Sequence, residues 1–326
     1  MSITVFEQLH AEGLISADAY AKIKLNKEKQ LLSVHWEIKT LLYLGVFLLS
    51  AGLGILVYKN IDTIGHQVIL LFIALVCAGS FFYCFKNKLP FSTGKVAAPN
   101  SFFDYILLLA CCTFISFIAY LQYQYNLFGN RYGLASFFPM VLLFFSAYYF
   151  DHLGVLSLAI ANLATWLGFT VTPLQILASN DFNSSRIIFT GLALGVLLMF
   201  IAWVTSSRNI KKHFEFTYAN FGTHTVLVSC LAAMFHFSAV YLVWFLVLLG
   251  MIYFFYRKAL QEKSFYFILI ITLYAYIGTS YVVLNLLEQV GTGDLAPLYL
   301  GFLYFIISGI GLVLSLVRTN KKIKAA

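Results

Sequence analysis

Chemistry in this chain would start at His224, an imidazole near the middle of a long apolar run spanning residues 216–235. Asn220 stands one helical turn before it, on the same face. Asn162 and Thr165 sit at similar depth in the run 153–172, and Asn285 lies nearer the end of the run 265–287. An imidazole changes charge near neutral pH, and with amide and hydroxyl neighbours it could line a polar cavity that binds a solute. The same residue types also serve as hydrogen bonds between packed helices. A second set lies between apolar runs. Asn60 and Asp62, in the turn Asn60-Ile61-Asp62, would share one side of the molecule with Glu288 and Asp294. Together these four could hold a ligand or an ion. Alternatively, Asp62 or Thr63 simply caps the next helix, with Gly65 easing the turn.

Other chemistry is missing. The chain contains no H-E-x-x-H, G-x-S-x-G or Walker pattern. Of the thirteen Asp and Glu, only Asp104 falls within an apolar run, close to its start, and no Lys or Arg lies at mid-run. A pump built around a deeply buried carboxylate is thereby disfavoured. Cys77, Cys84, Cys111, Cys112 and Cys230 all fall in apolar runs without metal-ligand spacing. They read as buried apolar residues, and no metal, cofactor or enzymatic activity is expected. Tyr120, Tyr123, Tyr125, Phe128 and Tyr132 surround one loop; such aromatics stack on sugars or headgroups, or form an interfacial belt.

The elements that carry these residues follow from composition. The chain has 326 residues, 61% hydrophobic and 10% charged. Soluble domains carry about 25% charged residues, so lipid must solvate most of this surface. A helix needs about 20 apolar residues to cross the hydrocarbon core. Ten segments qualify: 40–58, 66–85, 102–122, 133–150, 153–172, 187–206, 216–235, 238–256, 265–287 and 297–317. Two joins are tight, at Asp151-His152 and His236-Phe237. Each double run, read as one helix, would be about 60 Å long, twice the hydrocarbon thickness, so each is expected to reverse as a hairpin.

Charge orients the ten. With the N-terminus inside, the cytoplasmic segments hold 18 of the 21 Lys and Arg, and the outer loops hold only Lys59, Arg131 and Arg186. This is the positive-inside distribution. The formal charge of +8 therefore reports topology and anionic headgroups rather than nucleic acid. The first run follows a Lys-rich stretch and is expected to stay as an uncleaved span. The fold class is thus all-α: a polytopic transmembrane helix bundle of ten spans with both termini cytoplasmic. Residues 1–39 form a short cytoplasmic helical hairpin, 40–317 the transmembrane domain and 318–326 a basic cytoplasmic tail. In the hairpin, Phe6 and Leu9 mark one face of a helix ending at Gly13, and Ser16 caps a second helix with Asp18 in its first turn.

The opening Leu9-x-x-x-Gly13-Leu14-Ile15-Ser16, the glycine-bearing first span and the turn Asn60-Ile61-Asp62 resemble the family catalogued as domain of unknown function 2157, predicted bacterial integral membrane proteins. The likeness covers roughly the first 75 residues. In that family the first span commonly ends in Asn-Trp-Asp; here Ile61 takes the place of the Trp. The resemblance implies a helical hairpin, a multi-span architecture and a bacterial inner-membrane location, and it implies no activity.

Two functions fit. One is a non-enzymatic membrane scaffold or sensor whose residues 1–39 contact a cytoplasmic partner or a second copy of the chain. The other is a transporter of a small or lipid-like solute, its ten spans divided as a five-plus-five inverted repeat. Small residues at Ser50/Gly54, Gly191/Gly195 and Gly311/Ser315 would allow close helix crossings in either. Apart from such a protein partner, membrane lipids are the partners expected.

Overall fold

Long apolar runs form helices, and the computed structural model consists of them. It describes residues 10–12, 15–16, 18–20, 35–59, 65–171, 184–290 and 296–325. Among these there is no strand. The long helices are α1 (His35–Lys59), α2 (His66–Asn87), α3 (Ser101–Tyr125), α4 (Tyr132–Phe150), α5 (Leu153–Val171), α6 (Ser185–Arg208), α7 (Glu215–His236), α8 (Tyr241–Gln261), α9 (Phe265–Val290) and α10 (Ala296–Ala325).

The chain divides into two compact units, Met1–Tyr58 and Lys59–Ala326. In the first, Ser16 accepts a hydrogen bond from the Ala19 amide (3.3 Å), the N-cap read from the sequence. His10 reaches the Ile15 carbonyl at 3.3 Å and stacks on Tyr20 with ring centroids 4.9 Å apart. Phe6, Leu9 and Gly13 lie outside the described residues. Helix α1 is apolar on every side, with Leu41, Phe47 and Ile55 exposed, as a lipid-facing helix is.

In the second unit consecutive helices pack as antiparallel neighbours. Two of these helices start on side-chain caps. Asn100 accepts from the Phe103 amide at 2.8 Å to start α3, and Ser184 accepts from the Ile187 amide at 3.3 Å to start α6. The chain turns back at both expected tight joins. At the first, Asp151 is left-handed (φ 60°) and the His152 ring caps α5 by accepting from the Val155 amide at 3.0 Å. At the second, a 3₁₀ turn, Ser238–Val240, links α7 to α8.

Among the described residues, eight helices are long and apolar enough to cross a membrane: Ile38–Leu56, His66–Asn87, Ser101–Tyr125, Tyr132–Phe150, Ser185–Arg208, Ser238–Gln261, Phe265–Gln289 and Pro297–Lys321. The two sequence-expected spans outside this set are α5, whose described apolar stretch is Leu153–Gly168, and α7. Position explains α7. It packs against α5, α6, α8 and α9 and buries Tyr218, Val226, Leu227, Cys230 and Met234. A helix enclosed by other helices has little contact with lipid, so it tolerates Asn220, Thr223, His224 and Ser229.

Close approach of α6 and α7 depends on glycine. A Cβ on Gly195 would meet Val226 Cγ2 at 2.6 Å and the Val226 backbone nitrogen at 2.8 Å. Helix α10 instead sits at the rim and joins α9 by two hydroxyl pairs, Tyr276–Ser308 (3.0 Å) and Ser280–Tyr304 (3.1 Å).

Candidate functional site

The mid-depth polar residues divide between two places. On the α7–α9 seam, His224 Nδ1 lies 2.9 Å from the Tyr274 hydroxyl, and Asn220 Oδ1 accepts from the Tyr266 hydroxyl at 3.0 Å. Two polar residues one turn apart on α7 thus meet two tyrosines two turns apart on α9. On α5, the Thr165 hydroxyl bonds back to the Ala161 carbonyl at 3.0 Å. Asn162 keeps a buried Oδ1 that has no hydrogen-bond partner among the described residues. The Asn285 side-chain amide donates to the Tyr281 carbonyl of its own helix (2.8 Å). No hydrogen bond among the described residues links Asn162, Thr165 or Asn285 to the α7–α9 pair.

Of the outer-loop set, Glu288 is exposed at the end of α9. Asn60, Asp62 and Asp294 lie outside the described residues. In the aromatic group, the Tyr120 hydroxyl is 2.7 Å from His66 Nδ1, Phe128 stacks on Phe138, and Tyr123 is 81% exposed. These positions suit an interfacial belt.

A different cluster was not visible in sequence. It lies at the end of the second unit where α2, α4, α6 and α8 finish. The side chain of Asp151, in the α4–α5 turn, is 1% exposed and meets three polar groups. His213 Nε2 lies 2.5 Å from its Oδ1, Lys211 Nζ lies 3.2 Å from its Oδ2, and Oδ2 also accepts from the Val96 backbone amide. With a carboxylate as the acceptor, the imidazole proton belongs on Nε2. The Lys211 contact is an ion pair without hydrogen-bond alignment, and Nζ has no hydrogen-bond partner among the described residues. The Phe91 ring lies 5.1 Å from that ammonium, close enough for a cation–π contact.

The backbone is arranged to permit this. Lys211 is left-handed (φ 50°), its amide donates to the Thr93 carbonyl at 2.7 Å, and the 3₁₀ turn Lys212–Phe214 follows with Phe214 fully buried. Nearby, Lys88 bonds the Tyr149 hydroxyl and lies over its ring, and His152 Nε2 stands 3.8 Å from Asp104. One carboxylate therefore clasps the α2–α3, α4–α5 and α6–α7 connections together.

Beside the clasp opens a cleft of about 750 Å³, lined among others by Lys95, Asn209, Lys212, His213, Glu215 and Glu262. Beneath it, between Met199, Thr223, Phe255 and Ile271, a crevice of about 10 Å³ has room for about one water. In the sequence Lys211 is one basic residue among the 21 and Asp151-His152 is only a tight join. The available signal was topological: alternating spans place the connections 86–101, 151–152 and 207–215 at one end.

Helices that are apolar outward, carry their polar groups on helix–helix seams and collect their ion pairs at the ends make this an integral membrane protein of the all-helical class. More particularly, residues 7–156, the N-terminal part of the chain, match the model of the family described as predicted membrane protein (DUF2157). The match extends well past the first 75 residues that carry the resemblance, through α4 and into α5. No curated protein and no solved structure matches the chain.

Proposed function

We propose that this protein is a non-enzymatic scaffold or sensor of the bacterial inner membrane, ten-spanning with both termini in the cytoplasm, that works through its N-terminal hairpin. One observation carries the reading: His224 and Asn220, the polar groups best placed to line a solute path, are paired with Tyr274 and Tyr266 across a helix seam. Such bonds hold a bundle in one arrangement. Support for the topology comes from charge at the helix ends. Lys88, Lys95, Lys211, Lys212, Lys258 and Lys263 lie where α2, α4, α6 and α8 finish, while Arg131 and Arg186 lie at the opposite ends.

Deletion of residues 1–35 tests the role of the hairpin. The shortened chain should insert normally and change its oligomeric state on a sizing column in detergent. An unchanged state would refute the assembly role. The transporter reading is favoured by the cleft, which opens between α6, α7 and α9 from one end. His224→Cys separates the two readings: a scaffold keeps that thiol protected from a membrane-permeant polar reagent, and a solute path exposes it.

A further inference from the structure

We propose that the cleft beside Asp151 is a binding site for a phosphate ester, held by the ammonium groups of Lys95 and Lys212, with His213 as part of its wall. Its volume of about 750 Å³ is that of a small-molecule site. Its charge balance favours an anion. Glu262 is paired with Lys258 at 3.6 Å, and Glu215 stands in the first turn of α7, where the helix dipole offsets its charge. That leaves the ammonium groups of Lys95 and Lys212, both on exposed residues, without an ion-pair partner among the described residues. Ser206 and Asn209 add neutral hydrogen-bonding groups at the same rim.

The site is also built rather than accidental. Lys212 and His213 belong to a turn anchored by buried Phe214, by the Lys211–Thr93 backbone bond and by the Asp151 carboxylate. With its Nε2 on Asp151, the His213 ring is fixed as a wall of the cleft and holds the backbone of neighbouring Lys212 in place, which lowers the ordering cost of binding. Exposed Phe216 lines the cleft and packs on exposed Tyr266, ring centroids 5.8 Å apart, as aromatics do at headgroup depth. A phosphate at that depth could belong to a lipid headgroup or to a soluble phosphate ester. The inference is independent of the scaffold reading, whose test removes residues 1–35 and leaves the cleft intact.

The test uses the full chain in a neutral detergent and follows its thermal unfolding midpoint. Phosphatidylglycerol should raise the midpoint by about 2–4 °C, with inorganic phosphate as the soluble comparison. In Lys95→Gln/Lys212→Gln the apparent affinity should fall roughly tenfold or more, because two charge-assisted contacts are lost. Lys212→Arg, which keeps the charge, should retain the response. A response to lipid alone identifies a headgroup site, and one to inorganic phosphate identifies a soluble ligand. No response to either, an undiminished response in the Gln pair, or an equal loss in the control Arg131→Gln/Arg186→Gln, at the opposite helix ends, would overturn the proposal.

Discussion

Asp151 shows how much one side chain at a helix reversal can organise. Its carboxylate is 1% exposed and faces an ammonium, an imidazole and a backbone amide from two other connections. Burying a charge pair gains little net stability, but removing one partner strands the other without solvation. Asp151→Ala leaves the Lys211 ammonium buried and unpaired, and it should destabilise the protein by about 3–5 kcal/mol. Adding Lys211→Met removes the stranded charge and should recover a substantial part of that loss. Chemical unfolding of the three variants in detergent gives the comparison. If the double variant is no more stable than Asp151→Ala, the ion pair is not what the carboxylate contributes. Asn162 presents the opposite case: its buried Oδ1 has no hydrogen-bond partner among the described residues, and nothing in the structure accounts for it.

At the scale of elements, the α6–α7 crossing rests on the absence of a side chain. Gly195 faces Val226 so closely that a methyl group would overlap both its side chain and its backbone nitrogen. Gly195→Ala should therefore push the helices apart and cost about 1–3 kcal/mol. Gly250→Ala on α8, where a Cβ meets nothing within 4 Å, should leave stability nearly unchanged. Unfolding midpoints of the two variants distinguish a packing effect from a general loss of glycine. The Gly191/Gly195 spacing was readable in the sequence, as were all ten helix positions and both tight reversals, because these follow from apolar run length and local turn chemistry. The Asp151 clasp was not readable. Its groups sit more than 50 residues apart along the chain, and a carboxylate in a two-residue turn looks the same whether it faces water or a buried lysine. His224 stands out in the sequence as an imidazole within an apolar run. Its partner Tyr274 was hidden because tyrosines are abundant here and periodicity does not pair helices that are not consecutive.

For the whole molecule, the question that ties helices to topology is whether α5 and α7 cross the membrane, since the described apolar stretch of α5 ends at Gly168 and α7 is missing from the set of long apolar helices. Enclosure accounts for α7, which four neighbouring helices shield from lipid. Parity then makes the matter measurable. If α7 crosses, the connection at Asn209 and the turn at Ser238 lie on opposite sides, and if it does not, they share one. The native cysteines are no obstacle, because Cys77, Cys84, Cys111 and Cys230 are buried and Cys112 is half-buried within α3. An impermeant maleimide applied to spheroplasts should therefore label Tyr123→Cys and Ser238→Cys directly. It should reach Ser92→Cys, Asn209→Cys and Ser264→Cys only after the membrane is opened. Labelling of Asn209→Cys and Ser238→Cys from the same side would remove α7 from the set of spans. The positive-inside distribution downstream of it would then have no physical basis.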